Sequence, residues 1–176
     1  MMETVGAVPA VSLAEVKAFL RVTHDAEDAL IAALARAATE AVEAWTGQLL
    51  IERSVSVDVA VTGPRLRFPL WPLVRVEAVS WLPRTGAAPG AVNGWSVAVD
   101  AAGASWVTHG LDVRDGLLRV GARVGLAKDW NGVPETARLA VCRLAAVGFA
   151  RRDGGEGSAM PADVAAALLP LRRVAL

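Results

Sequence analysis

The apolar residues of this chain change their period twice, and that change constrains the fold more than any single motif. Up to Gly47 they recur at helical spacing, from Leu49 to Val124 they alternate as half-buried strands do, and from Pro134 the helical spacing returns. Ser12-Leu13-Ala14-Glu15 has the form of a capping box, in which a serine oxygen and a glutamate three residues later satisfy free amides at a helix start, so a short helix is expected from Leu13 to about Val22. Thr23-His24-Asp25 breaks it. Asp25 is placed to cap a second helix with Glu27 and Asp28 in its first turn, Leu30, Ile31, Leu34, Val42 and Trp45 along one stripe, and Gly47 as its stop.

Alternation then predicts strands over 54–61, 65–68, 74–82 and 95–99, and a pair at 111–113 and 117–124 joined by Arg114-Asp115-Gly116; Thr85-Gly86-Ala87-Ala88-Pro89-Gly90 and Asp100-Ala101-Ala102-Gly103 read as loop tips. Pro134 opens a third helix with Ala137, Ala140, Val141, Leu144, Val147 and Gly148 on one face, ending near Arg151. After the glycine-rich segment 153–158, Pro161 opens a fourth that runs through Leu169. The fold class is therefore α+β: a small helical bundle of two N-terminal and two C-terminal helices with a central antiparallel β insertion. Helices are expected at about 12–47 and 134–169, β structure at about 49–125 and a tail at 170–176. At 176 residues a single domain over 1–176 is expected.

Hydrophobic residues make up 54% of the chain, but no apolar run approaches the roughly 20 residues that span a bilayer, so no membrane association is expected. The N-terminus shows no secretory signal and the one cysteine, Cys142, permits no intramolecular disulfide, which together suit synthesis in a reducing cytoplasm. The formal net charge is zero, yet residues 1–47 hold seven acids against three bases, and residues 133–176 hold six arginines against four acids. Segregated charge of this kind suits head-to-tail packing of identical subunits.

Enzymatic chemistry needs converging acids, bases or nucleophiles, and the chain offers few. His24 at a helix boundary and His109 in a β-region loop have no partners at metal-ligand spacing and read as surface or capping histidines. Cys142 lies among Val141, Leu144 and Ala145, as a buried inert thiol does. No catalytic or phosphate-binding signature occurs, so no catalytic residue, metal or cofactor is assigned. Six tryptophans without a tyrosine raise the possibility of a stacking platform for single-stranded nucleic acid. Trp45 on an apolar stripe reads as core, whereas Trp71 before Pro72, and Trp130 beside Asn131-Gly132, read as candidate interface anchors.

Taken in order, Leu13-Ala14-Glu15-Val16-Lys17-Ala18-Phe19-Leu20-Arg21-Val22, the acidic Asp25-Ala26-Glu27-Asp28, the helix end Ala41-Val42-Glu43-Ala44-Trp45-Thr46-Gly47, Phe68-Pro69-Leu70, Pro72-Leu73, Val76-Glu77-Ala78-Val79, Val133-Pro134 and the closing stretch from Met160-Pro161 to Leu169-Pro170-Leu171-Arg172-Arg173 resemble the phage head-tail connectors, the gp6-like and gp8-like adaptors. Gene transfer agents of GC-rich bacteria carry adaptors of this type, and the alanine and arginine content here suits such a host. The resemblance covers nearly the whole chain. It implies a structural adaptor in the neck of a phage or gene transfer agent, made in the bacterial cytoplasm. Its ring, twelvefold by resemblance, would join the portal of the DNA-filled head to a tail-side neck or stopper protein, with DNA passing through the lumen unbound. Two other readings stand beside it: a nucleic-acid-binding module, with salt-dependent affinity, and a small α+β hydrolase, with a pocket of perturbed titratable groups.

The resemblance also implies that the C-terminal helix and tail dock on the portal; the alternative is that this helix folds back on its own domain. A helix this short is marginal without packing, so Val164, Leu168, Leu169, Leu171 and Val174 are expected to be exposed apolar contacts, with Arg172 and Arg173 adding charge-assisted bonds. Removal of residues 161–176 is then expected to leave a folded domain that no longer attaches to heads.

Overall fold

The computed structural model describes residues 2–4, 6–83, 88–101, 103–111, 116–151 and 160–173. The expected loop tip at 85–87, the turn at Arg114-Asp115, the strand residues Asp112 and Val113, the segment 153–158 and the tail from Val174 lie outside them. In chain order the described elements are β1 (Met2–Thr4), α1 (Leu13–Leu20), α2 (Asp28–Thr46), β2 (Arg53–Ala60), β3 (Arg65–Arg67), β4 (Leu73–Leu82), β5 (Gly90–Ala91), β6 (Ser96–Val99), β7 (Ser105–Thr108), β8 (Leu117–Val124), α3 (Glu135–Ala150) and α4 (Ala162–Leu168), with 3-10 turns at Trp130–Gly132 and Leu169–Leu171. The α+β class read from the sequence is observed, with one strand, β1, standing ahead of the first helix where none was expected. The residues group in two compact units: a helical one, Gly6–Glu52 with Leu126–Leu176, and a β one, Met1–Val5 with Arg53–Gly125.

In the β unit, a five-stranded antiparallel sheet has the order β1-β2-β8-β4-β5, and a three-stranded antiparallel sheet the order β3-β7-β6. Register explains the burial. Val57 and Val79 both pair with Val120, and Val55 and Val76 with Ala122, so one face collects five valines and an alanine, all buried. On the same β2–β8 ladder Asp58 faces Arg119, whose Nε and Nη2 donate to its two carboxylate oxygens at 2.7 and 2.9 Å. The sequence reading placed β8 beside a strand at 111–113. Its partners are instead β2 and β4, and Leu111 lies in no strand. The strands it missed are β1, β5 and β7; β7 is a four-residue run too short to show alternation, whose place in the sheet comes from pairing on both sides with β3 and β6.

In the helical unit Ser12 caps α1 as expected, its Oγ accepting from the Glu15 amide at 3.1 Å. The second half of the capping box is diverted, because the Glu15 carboxylate accepts from Arg138 at 2.7 Å. Asp25 does not cap α2. Its carboxylate is drawn to Lys17 at 2.6 Å, and that ammonium also meets Asp28 at 2.7 Å, so α2 starts after Glu27 without a side-chain cap. Gly47 ends α2 in the left-handed conformation, φ 70°, with its amide on the Glu43 carbonyl, as glycine at that position commonly does. Ile31, Ala35, Ala38 and Val42 of α2, with Ala137, Ala140, Val141 and Ala145 of α3, form the middle of the core, to which α1 adds Val16. Thr39, fully buried, donates to the Ala35 carbonyl at 2.8 Å and accepts from the Ala10 amide at 3.1 Å, which fixes the segment before α1 on α2.

Candidate functional site

The C-terminal segment corrects the sequence reading. Val164 and Leu168, expected as exposed contacts, are 2% and 0% exposed and belong to the core of the helical unit. The physical reason is the one that makes short helices marginal: two turns persist only by burying an apolar face, and here α3 and the helical core offer it. The strand-like stretch beyond is pinned as well. The Arg173 amide donates to the Thr46 carbonyl at 2.8 Å, Gln48 Nε2 donates to the Leu171 carbonyl, and the Arg172 guanidinium lies over the Trp45 ring at 5.0 Å. Leu171 is half-buried against the core, Leu169 is 57% exposed, and Arg172 is exposed. Of the seven residues assigned to docking, two are therefore core, Leu169 and Arg172 reach solvent, Leu171 and Arg173 are half-buried, and Val174 lies outside the described residues.

The two candidate anchors differ. Trp71 is half-buried in the β unit, at a cis peptide bond to Pro72. Trp130 is half-buried in the helical unit, where it packs against the core and lies under Arg138, 5.2 Å from its guanidinium. Trp45 packs against the same core, in agreement with its stripe position.

A groove between α1 and α3 was not legible in the sequence. It encloses about 410 Å³ and is lined by Glu15, Phe19, Glu135, Thr136, Leu139 and Cys142. Phe19 and Leu139, 44% and 45% exposed, flank it. Both lie off the stripes that face the core, Leu13-Val16-Leu20 on α1 and Ala137-Ala140-Val141-Leu144 on α3, and a large apolar residue off its stripe is the signal that would have found them. Arg138 bridges the rim: Nη2 donates to Glu15 and Nη1 to Glu135, at 2.7 and 2.8 Å. Two carboxylates thus share one guanidinium, and Glu15 Oε2 is shut off from water with no hydrogen-bond donor among the described residues. Cys142 lines the groove although only 3% exposed, and burial pushes its thiol up to about 11, so at neutral pH it is protonated and unreactive.

The histidines divide. His24 is exposed, with Nε2 3.8 Å from Glu27. His109, read as a surface residue, is 3% exposed; its amide donates to the Pro64 carbonyl, and neither ring nitrogen has a partner among the described residues. It is buried because it directly follows β7, whose pairing with β3 the sequence did not reveal. Among the described residues no three His, Cys, Asp or Glu side chains gather as metal ligands do, and no helix is long and apolar enough to cross a membrane.

Residues 10–66 match the family model of the phage gp6-like head-tail connector protein. Over its whole length the chain is similar to a chain in the neck of an empty gene transfer agent particle computed with C6 symmetry, with TM-score 0.78, 28% identity and 97% of that chain covered. Residues 10–66 thus resemble the gp6-like head-tail connectors, and the whole chain resembles a chain of the gene transfer agent neck. Similar chains occur in the virion of a native gene transfer agent particle, with TM-score 0.76 and 27% identity, and in the neck of the native particle computed with C12 symmetry, with TM-score 0.74 and 28% identity; each likeness covers 100% of this chain and 97% of the other. No curated protein sequence matches. The family model spans α1, α2, β2 and most of β3, so both N-terminal helices carry the familial pattern.

Proposed function

We propose that this connector is a structural adaptor of a gene transfer agent or phage neck, set between the portal of the DNA-filled head and the tail-side connector proteins. The observation that carries the reading is its end-to-end likeness to a chain of the gene transfer agent neck. A ring of copies follows from the C6 and C12 symmetry of the necks in which similar chains sit, and twelve is the copy number we propose. The role is structural. DNA passes through the ring without specific binding, since a chain of zero net charge gains little from releasing the counterions of a duplex.

For the portal we propose the exposed C-terminal residues Leu169 and Arg172, with the half-buried Leu171 and Arg173, and Val174 next in sequence. An exposed leucine three residues from a guanidinium supplies an apolar contact and a donor for carboxylates or helix-end carbonyls. Val164 and Leu168 act from beneath by holding that surface in place. Trp71 and Trp130 are proposed anchors toward neighbouring neck proteins.

Electron microscopy of particles carrying an epitope-tagged connector tests the reading. Label at the neck, in a copy number matching the portal's symmetry, is the expected result; label on the capsid or tail tube, or none on particles, would reject it. Leu169→Asp with Arg172→Glu should lower neck occupancy while leaving the fold intact.

A further inference from the structure

We propose that neighbouring connectors join edge to edge, with β3 of one copy laid beside β6 of the next so that the three-stranded sheet continues from copy to copy; this rests on the ring reading above. Among the described residues β6 is bordered by β7 alone, and all four of its residues, Ser96-Val97-Ala98-Val99, are exposed. An outer strand presents backbone donors and acceptors that an extended chain can pair, and proteins guard such edges with charge, proline, bulges or extreme shortness. β6 has no such guard. β1 and β5 are three and two residues long and β3 carries Arg65 and Arg67, whereas β6 runs along β7 without a bulge, a charged residue or a proline. The side chains point to the same opening. Leu66, Val107 and Val97 form one row across the buried face of this sheet, and Phe68, Ser105 and Val99 the next. Exposure along the first row is 4%, 0% and 39%, and along the second 4%, 4% and 65%, so the apolar face runs out of cover at β6. A strand beside β6 covers both valines.

A second copy supplies that strand. β3 and β6 both run antiparallel to β7 and therefore parallel to each other, so a neighbour placed side by side in a ring brings its β3 to β6 in the direction a parallel ladder needs. In the register that continues the rows, Leu66 of the added strand lies beside Val97, while Arg65 and Arg67 lie beside Ser96 and Ala98, small residues that leave room for arginine side chains on the outer face. A slip of one residue would turn those arginines onto the apolar face. Pairing of β6 with β6 of a second copy would close a two-fold dimer, whereas the contact of β6 with β3 is head-to-tail and repeats around a ring, in keeping with the C6 and C12 symmetry of the necks that hold similar chains.

The test places cysteines in the full-length connector, with Cys142→Ala to remove the native thiol, and oxidises assembled particles. Ser96→Cys with Arg65→Cys in one chain cannot bond within that chain, because β7 lies between the two strands. A ladder of covalent connector oligomers in the neck fraction is expected from this pair and none from either change alone; Ala98→Cys with Arg65→Cys detects the same contact slipped by two residues. No oligomer from either pair although the connector is present in necks, or a covalent dimer from Ser96→Cys or Ala98→Cys alone, overturns the proposal. In parallel, Val97→Lys, which puts a charge on the edge, should cut neck occupancy by about tenfold or more with unchanged circular dichroism, whereas Leu30→Lys, at an exposed apolar residue of α2, should not. Undiminished occupancy of a folded Val97→Lys connector also overturns it; should that variant unfold, the crosslink alone decides. Absence of the unsubstituted connector from necks rejects the neck reading, and its presence there without the crosslink rejects only the edge contact.

Discussion

Substituting Leu168 and Leu169 separately tests whether the C-terminal helix is part of the fold or a free docking arm. The two residues are adjacent in sequence but opposite in environment, Leu168 0% exposed inside the helical core and Leu169 57% exposed. Leu→Ala at a fully buried site removes the transfer energy of the lost methyl and methylene groups and leaves a cavity, about 2–5 kcal/mol in all, so about 3 kcal/mol is expected for Leu168→Ala. Leu169→Ala should stay within about 0.5 kcal/mol, as surface changes do. In urea, with a slope of about 2 kcal/mol per molar, the buried substitution moves the helical unit's midpoint down by about 1.5 M and the exposed one by less than about 0.3 M. Far-UV circular dichroism of the full chain follows it. Equal shifts for the two variants, or a Leu168→Ala midpoint within 0.3 M (about 0.6 kcal/mol at that slope) of the unsubstituted protein, would refute the reasoning. The same burial changes the expectation for truncation: removing residues 161–176 takes Val164 and Leu168 out of the core and destabilises the unit, so docking is tested by point changes at the surface instead.

Gly116 sits at φ 139°, and a β-carbon there would fall 2.2 Å from the Trp81 ring, so Gly116→Ala should destabilise the β unit by about 1–3 kcal/mol, read by chemical denaturation; a loss under 0.5 kcal/mol (less than the cost of a single strained residue) would count against the close packing. The bidentate bond from Arg119 holds the Asp58 carboxyl below the ordinary aspartate range, so its folded-state pKa lies below the unfolded one. The stability this contributes, about 1 kcal/mol for a pair with one partner half in water, is complete above about pH 5 and lost as the pH falls below about 4; Asp58→Asn should remove it, and an unchanged acid-unfolding profile in that variant would contradict the assignment. The Cys142 thiol should resist a thiol-specific disulfide reagent at neutral pH in the folded chain and react at once in denaturant; rapid labelling of the native protein would show the site is open.

The sequence by itself determined the order of elements, because a hydrophobic period of 3.6 or 2 is a local property of the chain: α1, α2, β2, β4, β8, α3 and α4 all lie where their periodicity puts them, and the Ser12 and Gly47 boundaries follow from backbone groups within a few residues. It also carried the resemblance to connectors, since that lies in the order of such local signals. What only the tertiary structure decided is where partners come from distant parts of the chain. β8 turned from a hairpin with 111–113 to a central place between β2 and β4, and β7 became a strand through neighbours rather than through its own four residues. Asp25 went to Lys17 instead of a helix cap, Glu15 to Arg138, 123 residues away. Val164 and Leu168 were seen in the sequence as apolar residues on a short helix, which is equally true of a free arm and of a core element. The difference lies in whether α3 and the helical core present a surface for them, and that surface exists only once the helices have packed.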